Sequence, residues 1–215
     1  MKALVTGASG FIGSKLILAL HDNGYELRLL SRKRISNYDT VICNLGIDEI
    51  PERALDSIDI VFHLAGYTHD VENSSDKDKF YFDINVNATV NLMKIAANKG
   101  VKKFVFVSSV KAGGISDSVI NLSEKDQTTP NDIYGFTKRV AEQEILKIAE
   151  LSDISLSIIR PALVYGVGMK GNLADMIDGI KKGWFPPLPE THNKRSMISI
   201  TDLVDAIMFI TLNQK

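Results

Sequence analysis

The sequence predicts an α/β fold built on one doubly wound parallel sheet, and three of its features support this prediction. Short apolar, β-branched runs alternate with amphipathic stretches along most of the 215 residues, as they do where helices bury parallel strands on both faces. The first apolar run leads directly into three regularly spaced glycines. Hydrophobic residues make up 45% of the chain and charged residues 24%, so we expect one ordinary globular domain with a sizeable core.

Six strands and four helices are expected in alternation along the chain. The apolar runs predict strands at Lys2–Thr6, Glu26–Ser31, Thr40–Cys43, Ile60–Leu64, Lys103–Ser108 and Leu156–Arg160. The amphipathic stretches predict helices at Phe11–Asn23, Phe80–Lys99 and Ile133–Glu150, with a weaker one near Ile50–Asp56. Gly100 is expected to end a helix in the left-handed conformation. The polar runs Val71–Lys79 and Ser123–Asp132 are interpreted as solvated loops.

The composition changes after Pro161, where the glycine- and proline-rich segments YGVGMKGN and GWFPPLPE occur. We expect this part of the chain to form a lid or substrate lobe rather than more sheet. It ends in the helix-like stretch DLVDAIMFITLNQK.

Charge and cysteine content exclude several classes of function. The formal net charge of -1 provides no general field for nucleic acid or an anionic membrane, so neither is an expected partner. Cys43 is the only cysteine, which rules out an intrachain disulfide and suits a reducing compartment. The sequence has no run of about 18 apolar residues and no signal-peptide pattern, so a cytoplasmic location is expected. No metal site is predicted.

The three glycines, Gly7, Gly10 and Gly13, have the spacing G-x-x-G-x-x-G between a predicted strand and a predicted helix. This is the setting of a Rossmann-type dinucleotide-binding turn. There the first glycine permits a tight turn, the second lets backbone approach a pyrophosphate, and the third lets helix and strand pack closely. N–H groups at the helix N-terminus then bind phosphate. The alternative is a glycine turn with no ligand.

The end of the second predicted strand indicates which dinucleotide is bound. A site for NAD places Asp or Glu there to bind the ribose 2′-hydroxyl, whereas this chain has Ser31 followed by Arg32, Lys33 and Arg34. A guanidinium can bind a 2′-phosphate through two hydrogen bonds. The sequence therefore favours NADP over NAD, and the alternative is a basic, solvated loop.

Tyr134 and Lys138, in the motif YGFTK, lie four residues apart near the start of a predicted helix, so their side chains share one face. A nearby ammonium lowers the pKa of a tyrosine, which would let Tyr134 exchange a proton with a substrate hydroxyl or carbonyl. Ser108 and Ser109 end a predicted strand, where sites form in open α/β sheets. A serine hydroxyl there can orient the reacting oxygen. The alternatives are an exposed helical pair and serines that cap a turn.

These motifs belong to a longer series that covers nearly the whole chain: VTGASGFIG, HLAG, INVNATVNLM, FVFVSSV, YGFTK, IIRPALVYG and RSMISITDLVDAI. In this order and spacing the chain resembles the extended short-chain dehydrogenase/reductases of the nucleotide-sugar epimerase/dehydratase family. The resemblance implies an NAD(P)-binding Rossmann domain over residues 1–160. It implies a partial substrate-binding region over residues 161–215, which is either truncated or unusually small. It also implies a homodimer formed through Phe80–Lys99 and Ile133–Glu150.

The resemblance assigns roles residue by residue. Ser109, Tyr134 and Lys138 are implied to be catalytic, with Lys138 also contacting the nicotinamide ribose. Together with the patterns above, it implies cofactor contacts from Gly7, Ser9, Gly10, Phe11, Ile12, Gly13, Ser31, Arg32, Asn44, Leu64, Ala65, Gly66, Asn85, Tyr134, Lys138 and Pro161. For Asn85, a buried residue that bonds only backbone is the alternative. Contacts with the nucleotide sugar are implied for Ser108, Lys111, Asn172 and Arg195.

The residues after Ser109 indicate the type of reaction. Dehydratases of the family follow their catalytic threonine with Asp-Glu, whereas this chain has Val110 and Lys111, which disfavours dehydration. The resemblance then implies an enzyme that oxidises or reduces C4 of a UDP-hexose or UDP-N-acetylhexosamine, as a 4-epimerase or a 4-ketoreductase. Two alternatives stay open: a dinucleotide-binding sensor without turnover, and a reductase of a non-sugar carbonyl.

Overall fold

The computed structural model describes residues 1–68, 77–114, 123–125, 127–186 and 195–213. Its central sheet contains six strands: β1 (Lys2–Thr6), β2 (Glu26–Ser31), β3 (Asp39–Ile42), β4 (Ile60–His63), β5 (Lys103–Val107) and β6 (Ser155–Ile159). All neighbours are parallel, in the order β3-β2-β1-β4-β5-β6. The chain therefore adds β2 and β3 on one side of β1 and then β4, β5 and β6 on the other side. This confirms the predicted doubly wound, Rossmann-type sheet.

Helices cover both faces of the sheet. They are α1 (Phe11–Asp22), α2 (Lys77–Tyr81), α3 (Ala88–Asn98), α4 (Ile133–Glu150), α5 (Asn172–Lys181) and α6 (Ile200–Asn213). Short 3-10 helices occupy Glu52–Leu55 and Val110–Gly113, and a π-helical segment occupies Phe82–Asn87. Strand side chains alternate between the two faces: Leu4 and Phe104 pack towards α3 and α4, whereas Val5 and Val105 pack towards α1 and α6.

The predicted bounds of β1, β2 and α4 are confirmed; β4 and β5 end one residue earlier than predicted, and β3 and β6 both begin and end one residue earlier. Gly100 has a φ of 73°, which confirms it as the left-handed residue after α3. The weak helix expected near Ile50–Asp56 is only the 3-10 turn Glu52–Leu55.

The helix predicted at Phe80–Lys99 is wrong in two respects. It begins earlier, at Lys77, and its middle is the π-helical segment Phe82–Asn87. The extra residue of a π-turn shifts the side chains that follow it around the helix axis. Lys77–Lys79 are therefore helical rather than part of the predicted loop Val71–Lys79, whose residues 71–76 lie outside the described ranges.

The expectation of no further sheet after Pro161 is also wrong. Strand β7 (Leu163–Tyr165) pairs in parallel with β8 (Met197–Ser199) in a second, two-stranded sheet. Each strand has three residues, too few for a period-two pattern to stand out. Residues 187–190 of GWFPPLPE lie outside the described ranges. Within those ranges, every helix is too short or too polar to cross a membrane.

Candidate active site

The turn between β1 and α1 has no room for side chains at two of its glycines. Gly7 has a φ of +72°, and a Cβ there would lie 2.7 Å from the backbone N of Ala65. A Cβ on Gly13 would lie 2.1 Å from the carbonyl oxygen of Gly7. The turn is closed by a 2.9 Å hydrogen bond from the Gly10 N–H to the same oxygen. Only glycine lets the first turn of α1 pack this closely against the ends of β1 and β4.

The first turn of α1 offers backbone N–H donors that no side chain of the described residues caps. Its N-cap, Gly10, supplies no capping side chain, and the first turn contains no acidic residue. Ser9 and Gly10 are exposed, while Phe11 and Ile12 are half-buried. Free N–H groups and the positive end of the helix dipole favour an anion here. This arrangement fits the diphosphate of a dinucleotide.

The other residues predicted to contact a cofactor follow the carboxyl ends of neighbouring strands. Leu64, Ala65 and Gly66 come after β4, and a Cβ on Gly66 would lie 3.3 Å from the Lys138 ammonium nitrogen. Pro161 comes after β6, and its carbonyl accepts a 3.2 Å hydrogen bond from the Val110 N–H. The topology therefore brings the predicted contacts to the sheet edge that carries the glycine turn.

The residues expected around the adenosine lie at the far end of this edge. Ser31 ends β2 and is half-buried, and Arg32 after it is exposed. Asn44 follows β3, is half-buried, and donates its backbone N–H to the Asp48 carboxylate at 2.7 Å. The Arg32 guanidinium, which is predicted to bind a 2′-phosphate, is therefore accessible to a ligand in solvent.

Asn85 does not have the predicted cofactor contact. The residue is 0% exposed. Its Oδ1 accepts the Tyr67 N–H at 2.7 Å, and its Nδ2 donates to the Tyr67 carbonyl and to the Thr137 hydroxyl, each at 3.1 Å. All its polar groups are used inside the protein. The structure therefore corrects the prediction: Asn85 holds the chain after β4 against α4.

Tight packing at the start of α4 places Tyr134 beside Ser109. Asp132 caps the helix by accepting the Gly135 N–H at 2.7 Å. A Cβ on Gly135 would lie 2.5 Å from the Lys111 carbonyl oxygen, so the first turn of α4 lies directly on the 3-10 helix that follows Ser109. The Ser109 side chain lies near enough to Tyr134 to influence its pKa, and its hydroxyl accepts the Lys111 N–H at 3.2 Å.

The pKa of Tyr134 is raised to about 12, chiefly because burial disfavours the phenolate. The Ser109 side chain acts in the opposite direction, and the charges of Asp132 and Tyr81 raise the pKa further. The prediction that Lys138 lowers this pKa below its usual value is therefore wrong for this structure. Desolvation outweighs the stabilisation of the phenolate.

Lys138 is buried, and its ammonium has a defined environment. Its Nζ donates to the Val107 carbonyl at 3.0 Å and lies 4.5 Å from the centroid of the Phe106 ring. Burial lowers the pKa of Lys138 to about 8, against the opposing charge of Glu142. The buried Glu142 carboxylate is itself paired with Arg160, whose Nε lies 2.9 Å from Glu142 Oε1.

The predicted substrate contacts are only partly brought together. The ammonium of Lys111 bonds the Asp132 carboxylate at 2.6 Å and lies 5.9 Å from the centre of the Tyr134 ring. Ser108 is only 3% exposed, and its hydroxyl has no hydrogen-bond partner among the residues that the structure describes. This burial disagrees with the predicted substrate contact of Ser108. Asn172, at the start of α5, and Arg195, before β8, are exposed.

Sequence reasoning missed Asp132, Glu142 and Phe106. Asp132 could have been found as an N-cap, because Asp directly before an amphipathic stretch is a common helix start. Glu142 could have been found from its spacing of four residues from Lys138 on one helix. Nothing in the sequence indicates that the Phe106 ring lies under the Lys138 ammonium, because the two residues belong to distant parts of the chain.

Comparison with known proteins agrees with this geometry. The model of the NAD dependent epimerase/dehydratase family matches residues 3–215. The chain is 34% identical over 214 residues to a UDP-glucose 4-epimerase of Vibrio cholerae, covering 95% of this chain and 65% of the relative. It is 29% identical over 197 residues to a 3 beta-hydroxysteroid dehydrogenase/Delta 5-->4-isomerase of Mycobacterium tuberculosis, covering 85% of this chain and 52% of the relative.

Among solved structures, MoeE5 in complex with UDP-glucuronic acid and NAD superposes with a TM-score of 0.86 at 29% identity. That match covers 100% of this chain and 73% of MoeE5. The chain spans 65% and 52% of the length of the two curated relatives named above.

Proposed function

The chain belongs to the NAD dependent epimerase/dehydratase family, and on that premise we propose that it catalyses NAD(P)-dependent oxidoreduction at C4 of a nucleotide-diphosphate sugar. One observation carries the proposal. The neighbouring side chains of Ser109 and Tyr134 and the buried ammonium of Lys138 lie at the sheet edge that also carries the uncapped glycine turn. That arrangement offers proton transfer and dinucleotide binding in one site.

The chain's own residues fit a nicotinamide dinucleotide. Gly7, Gly10 and Gly13 leave a surface without side chains, and the first turn of α1 supplies N–H donors to a diphosphate. When bound, such a dinucleotide supplies a hydride acceptor in its oxidised form and a hydride donor in its reduced form. Gly66 and Lys138 lie together next to the catalytic residues and would flank the reactive end.

Ser109 and Tyr134 would handle the proton of the reacting C4 oxygen. The Ser109 hydroxyl donates a hydrogen bond to that oxygen and orients it towards Tyr134. Tyr134 gives its proton to the C4 carbonyl oxygen on reduction; on oxidation it takes the C4 hydroxyl proton as the phenolate, once its own proton has gone to solvent. Because burial raises the pKa of Tyr134 to about 12, the free protein holds the proton on Tyr134 Oη at neutral pH.

Lys111, Asn172 and Arg195 are proposed to bind the nucleotide sugar. Lys111 is the best supported of the three, because its ammonium already lies beside the Tyr134 ring. Asn172 begins α5 directly after Gly171, which has a φ of 88°. The exposed guanidinium of Arg195 suits bidentate binding of a phosphate.

The direct test compares Tyr134→Phe with the unsubstituted chain on a panel of UDP-hexoses and UDP-N-acetylhexosamines, with NAD and NADP. We expect turnover to fall about 10²–10⁴-fold, as for loss of a general acid–base group. The matched control is Tyr25→Phe, which removes a buried hydroxyl that bonds nothing in the described part of the chain. Undiminished activity in Tyr134→Phe would contradict the mechanism.

A non-sugar alcohol or carbonyl is the second candidate substrate, because the Mycobacterium tuberculosis relative is named as a hydroxysteroid dehydrogenase. The same panel separates the candidates when a hydroxysteroid is included. Turnover of the hydroxysteroid that added UDP does not inhibit would favour the second candidate. A dinucleotide sensor is favoured if the cofactor binds but no substrate turns over.

NADP is proposed to bind more tightly than NAD, because Arg32 is exposed and Ser31 supplies no carboxylate for a ribose 2′-hydroxyl. A charge-assisted contact contributes about 1.5–3 kcal/mol, and exposure places the expected difference near tenfold. Calorimetric titration of both cofactors should show this preference, and Arg32→Ala should remove it without weakening NAD. Equal affinities in the unsubstituted chain, or tighter NAD, would show that SRKR is a solvated loop.

A homodimer formed through α3 and α4 is proposed as the assembly. The two helices pack side by side, and Phe136 and Leu146 on α4 are 42% and 44% exposed. Sedimentation should give a dimer for the unsubstituted chain and a monomer for Leu146→Asp. An unchanged mass in that variant would contradict this interface.

A further inference from the structure

A row of buried polar side chains connects the glycine turn to the π-helical segment. Thr6, His63, Thr89 and Asn85 are all 0% exposed. Thr6 Oγ1 lies 2.7 Å from His63 Nδ1, and His63 Nε2 lies 2.8 Å from Thr89 Oγ1. Thr89 Oγ1 also donates to the Asn85 carbonyl at 2.8 Å, and Thr6 Oγ1 accepts the Ala65 N–H at 3.1 Å.

The donors and acceptors of this row determine where each proton lies. Thr89 gives its only hydroxyl proton to the Asn85 carbonyl, so it must accept a proton from His63 Nε2. His63 Nδ1 is then the acceptor of a neutral imidazole, and the Thr6 hydroxyl donates to it. Thr6 Oγ1 can still accept the Ala65 N–H.

The other two forms of His63 leave a polar group unpaired. A proton on Nδ1 instead of Nε2 would require the Thr89 hydroxyl to donate to the ring and lose the Asn85 carbonyl. A doubly protonated ring would leave the Thr6 hydroxyl proton without an acceptor. Unpaired buried polar groups are costly, so the neutral ring protonated at Nε2 is the form that satisfies the whole row.

We propose that His63 is a positioning residue for dinucleotide binding, acting as a neutral, Nε2-protonated imidazole that links the backbone of Ala65 to the backbone of Asn85. Through Thr6, His63 holds the backbone of Ala65, which follows β4. The glycine turn packs closely at this point, because a Cβ on Gly7 would lie 2.7 Å from the Ala65 N. Loss of the hydrogen bond from Thr6 or Thr89 to His63 would let the contact between Gly7 and Ala65 loosen. The cofactor-binding part of the inference rests on the function proposed above.

The surroundings of His63 also favour the neutral ring. The imidazole stacks on Phe106, with ring centroids 5.6 Å apart, and packs against Phe104. Burial lowers the pKa of His63 to about 3, and the charge of Lys138 acts in the same direction. The ammonium of Lys138 lies over the same Phe106 ring, so a second cation at His63 would be repelled.

The protonation state is tested by long-range ¹⁵N–¹H NMR on the full chain between pH 5 and 8. We expect His63, identified by the signal that disappears in His63→Gln, to show the neutral Nε2–H pattern over the whole range. A neutral Nδ1–H pattern, or a charged ring at pH 7, would overturn the proposal. This measurement needs neither cofactor nor turnover, so it stands even if the proposed function fails.

The positioning role is tested by Thr89→Val, with Thr211→Val as a matched control. Both threonines are buried, and each hydroxyl donates to the carbonyl four residues earlier, at 2.8 Å for Thr89 and 2.7 Å for Thr211. Only Thr89 also bonds His63. We expect Thr89→Val to lose more folding stability than Thr211→Val, because it leaves the buried His63 Nε2–H without an acceptor, and Thr89→Val alone to weaken NAD or NADP binding about threefold to tenfold.

Thr89→Ser keeps the hydroxyl and should restore the affinity of the unsubstituted chain. Equal cofactor affinities in Thr89→Val and Thr211→Val would reduce the row to a structural role and overturn the proposal. If Thr89→Val does not fold, the NMR experiment on the unsubstituted chain still decides the protonation state of His63. A chain that shows the predicted tautomer but binds no dinucleotide would contradict the proposed function instead.

Discussion

Two helices, α1 and α4, begin at the carboxyl edge of the sheet, and their first turns are built in opposite ways. The N-cap of α1 is Gly10, which leaves the N–H groups without a side-chain partner. The N-cap of α4 is Asp132, whose carboxylate accepts the Gly135 N–H and also binds Lys111. One helix start is open to an external anion, and the other is satisfied by the protein itself.

This difference shows how one fold element serves two chemical tasks. At α1 the backbone is the proposed binding group, so side chains are absent and approach must stay open. At α4 the side chains of Tyr134 and Lys138 are the proposed reacting groups, so the helix beneath them has to be held in place. The cap and the close packing at Gly135 hold it. The following predictions test this contrast, from the largest expected effect to the smallest.

Gly13→Ala should be the most damaging change at the start of α1. Its Cβ would lie 2.1 Å from the Gly7 carbonyl oxygen, and a backbone atom cannot move aside as a flexible side chain can. We expect the free energy of unfolding to fall by at least about 3 kcal/mol, the upper range for overpacking, in urea denaturation. Gly10→Ala is the comparison, because its Cβ would lie 3.1 Å from the same oxygen. Equal losses in the two variants would show that the close contact does not decide the turn.

Gly10→Asp and Gly10→Ser should close the open start of α1. Either side chain can cap the helix, so both compete with a bound diphosphate, but only Asp adds a negative charge. At about 4 Å the repulsion between two unit charges is roughly 1–4 kcal/mol between water and protein-surface conditions. We expect Gly10→Asp to bind NAD or NADP at least about tenfold more weakly than Gly10→Ser.

Calorimetry at low and high salt checks this result, because screening should reduce the difference between the two Gly10 variants. Equal affinities, or a difference that salt leaves unchanged, would mean that the phosphates do not approach this helix start.

Asp132→Ala should open the closed start of α4 at a smaller cost. Losing an N-cap typically costs about 0.5–2 kcal/mol of stability. Asp132→Asn keeps a capping oxygen and loses only the exposed ion pair with Lys111, worth about 0–1 kcal/mol. We expect the midpoint of thermal unfolding to be highest for the unsubstituted chain, lower for Asp132→Asn and lowest for Asp132→Ala. If Asp132→Asn loses as much stability as Asp132→Ala, the ion pair rather than the cap holds this helix start.

The same pair of variants has a predicted pH dependence. Burial raises the pKa of Asp132, but the Gly135 N–H and Lys111 together outweigh it and lower the pKa overall. A carboxyl group with a lowered pKa stabilises the fold above its unfolded value, about 3.9, and loses that contribution as the pH falls through the folded value. The stability advantage over Asp132→Asn should therefore be present at pH 7 and shrink below about pH 4. An advantage that stays constant down to pH 2 would contradict this assignment.

Properties carried by local patterns were read correctly from the sequence. The bounds of β1, β2 and α4 follow from hydrophobic periodicity, which reports which face of each element is buried. The glycine turn could be predicted because the spacing of Gly7, Gly10 and Gly13 reflects contacts within one strand–turn–helix unit. The side chains of Tyr134 and Lys138 could be placed on one helix face for the same reason.

Properties that depend on residues from distant parts of the chain were decided only by the tertiary structure. The pKa of Tyr134 is set by burial and by Ser109, Asp132 and Tyr81, so the proximity of Lys138 in sequence predicted the wrong direction. The pairing of β7 with β8 joins strands too short to have a pattern of their own. The proton on His63 is placed by Thr89 from another element. Periodicity describes the face that an element buries, whereas electrostatics and strand pairing depend on what the folded chain brings against that face.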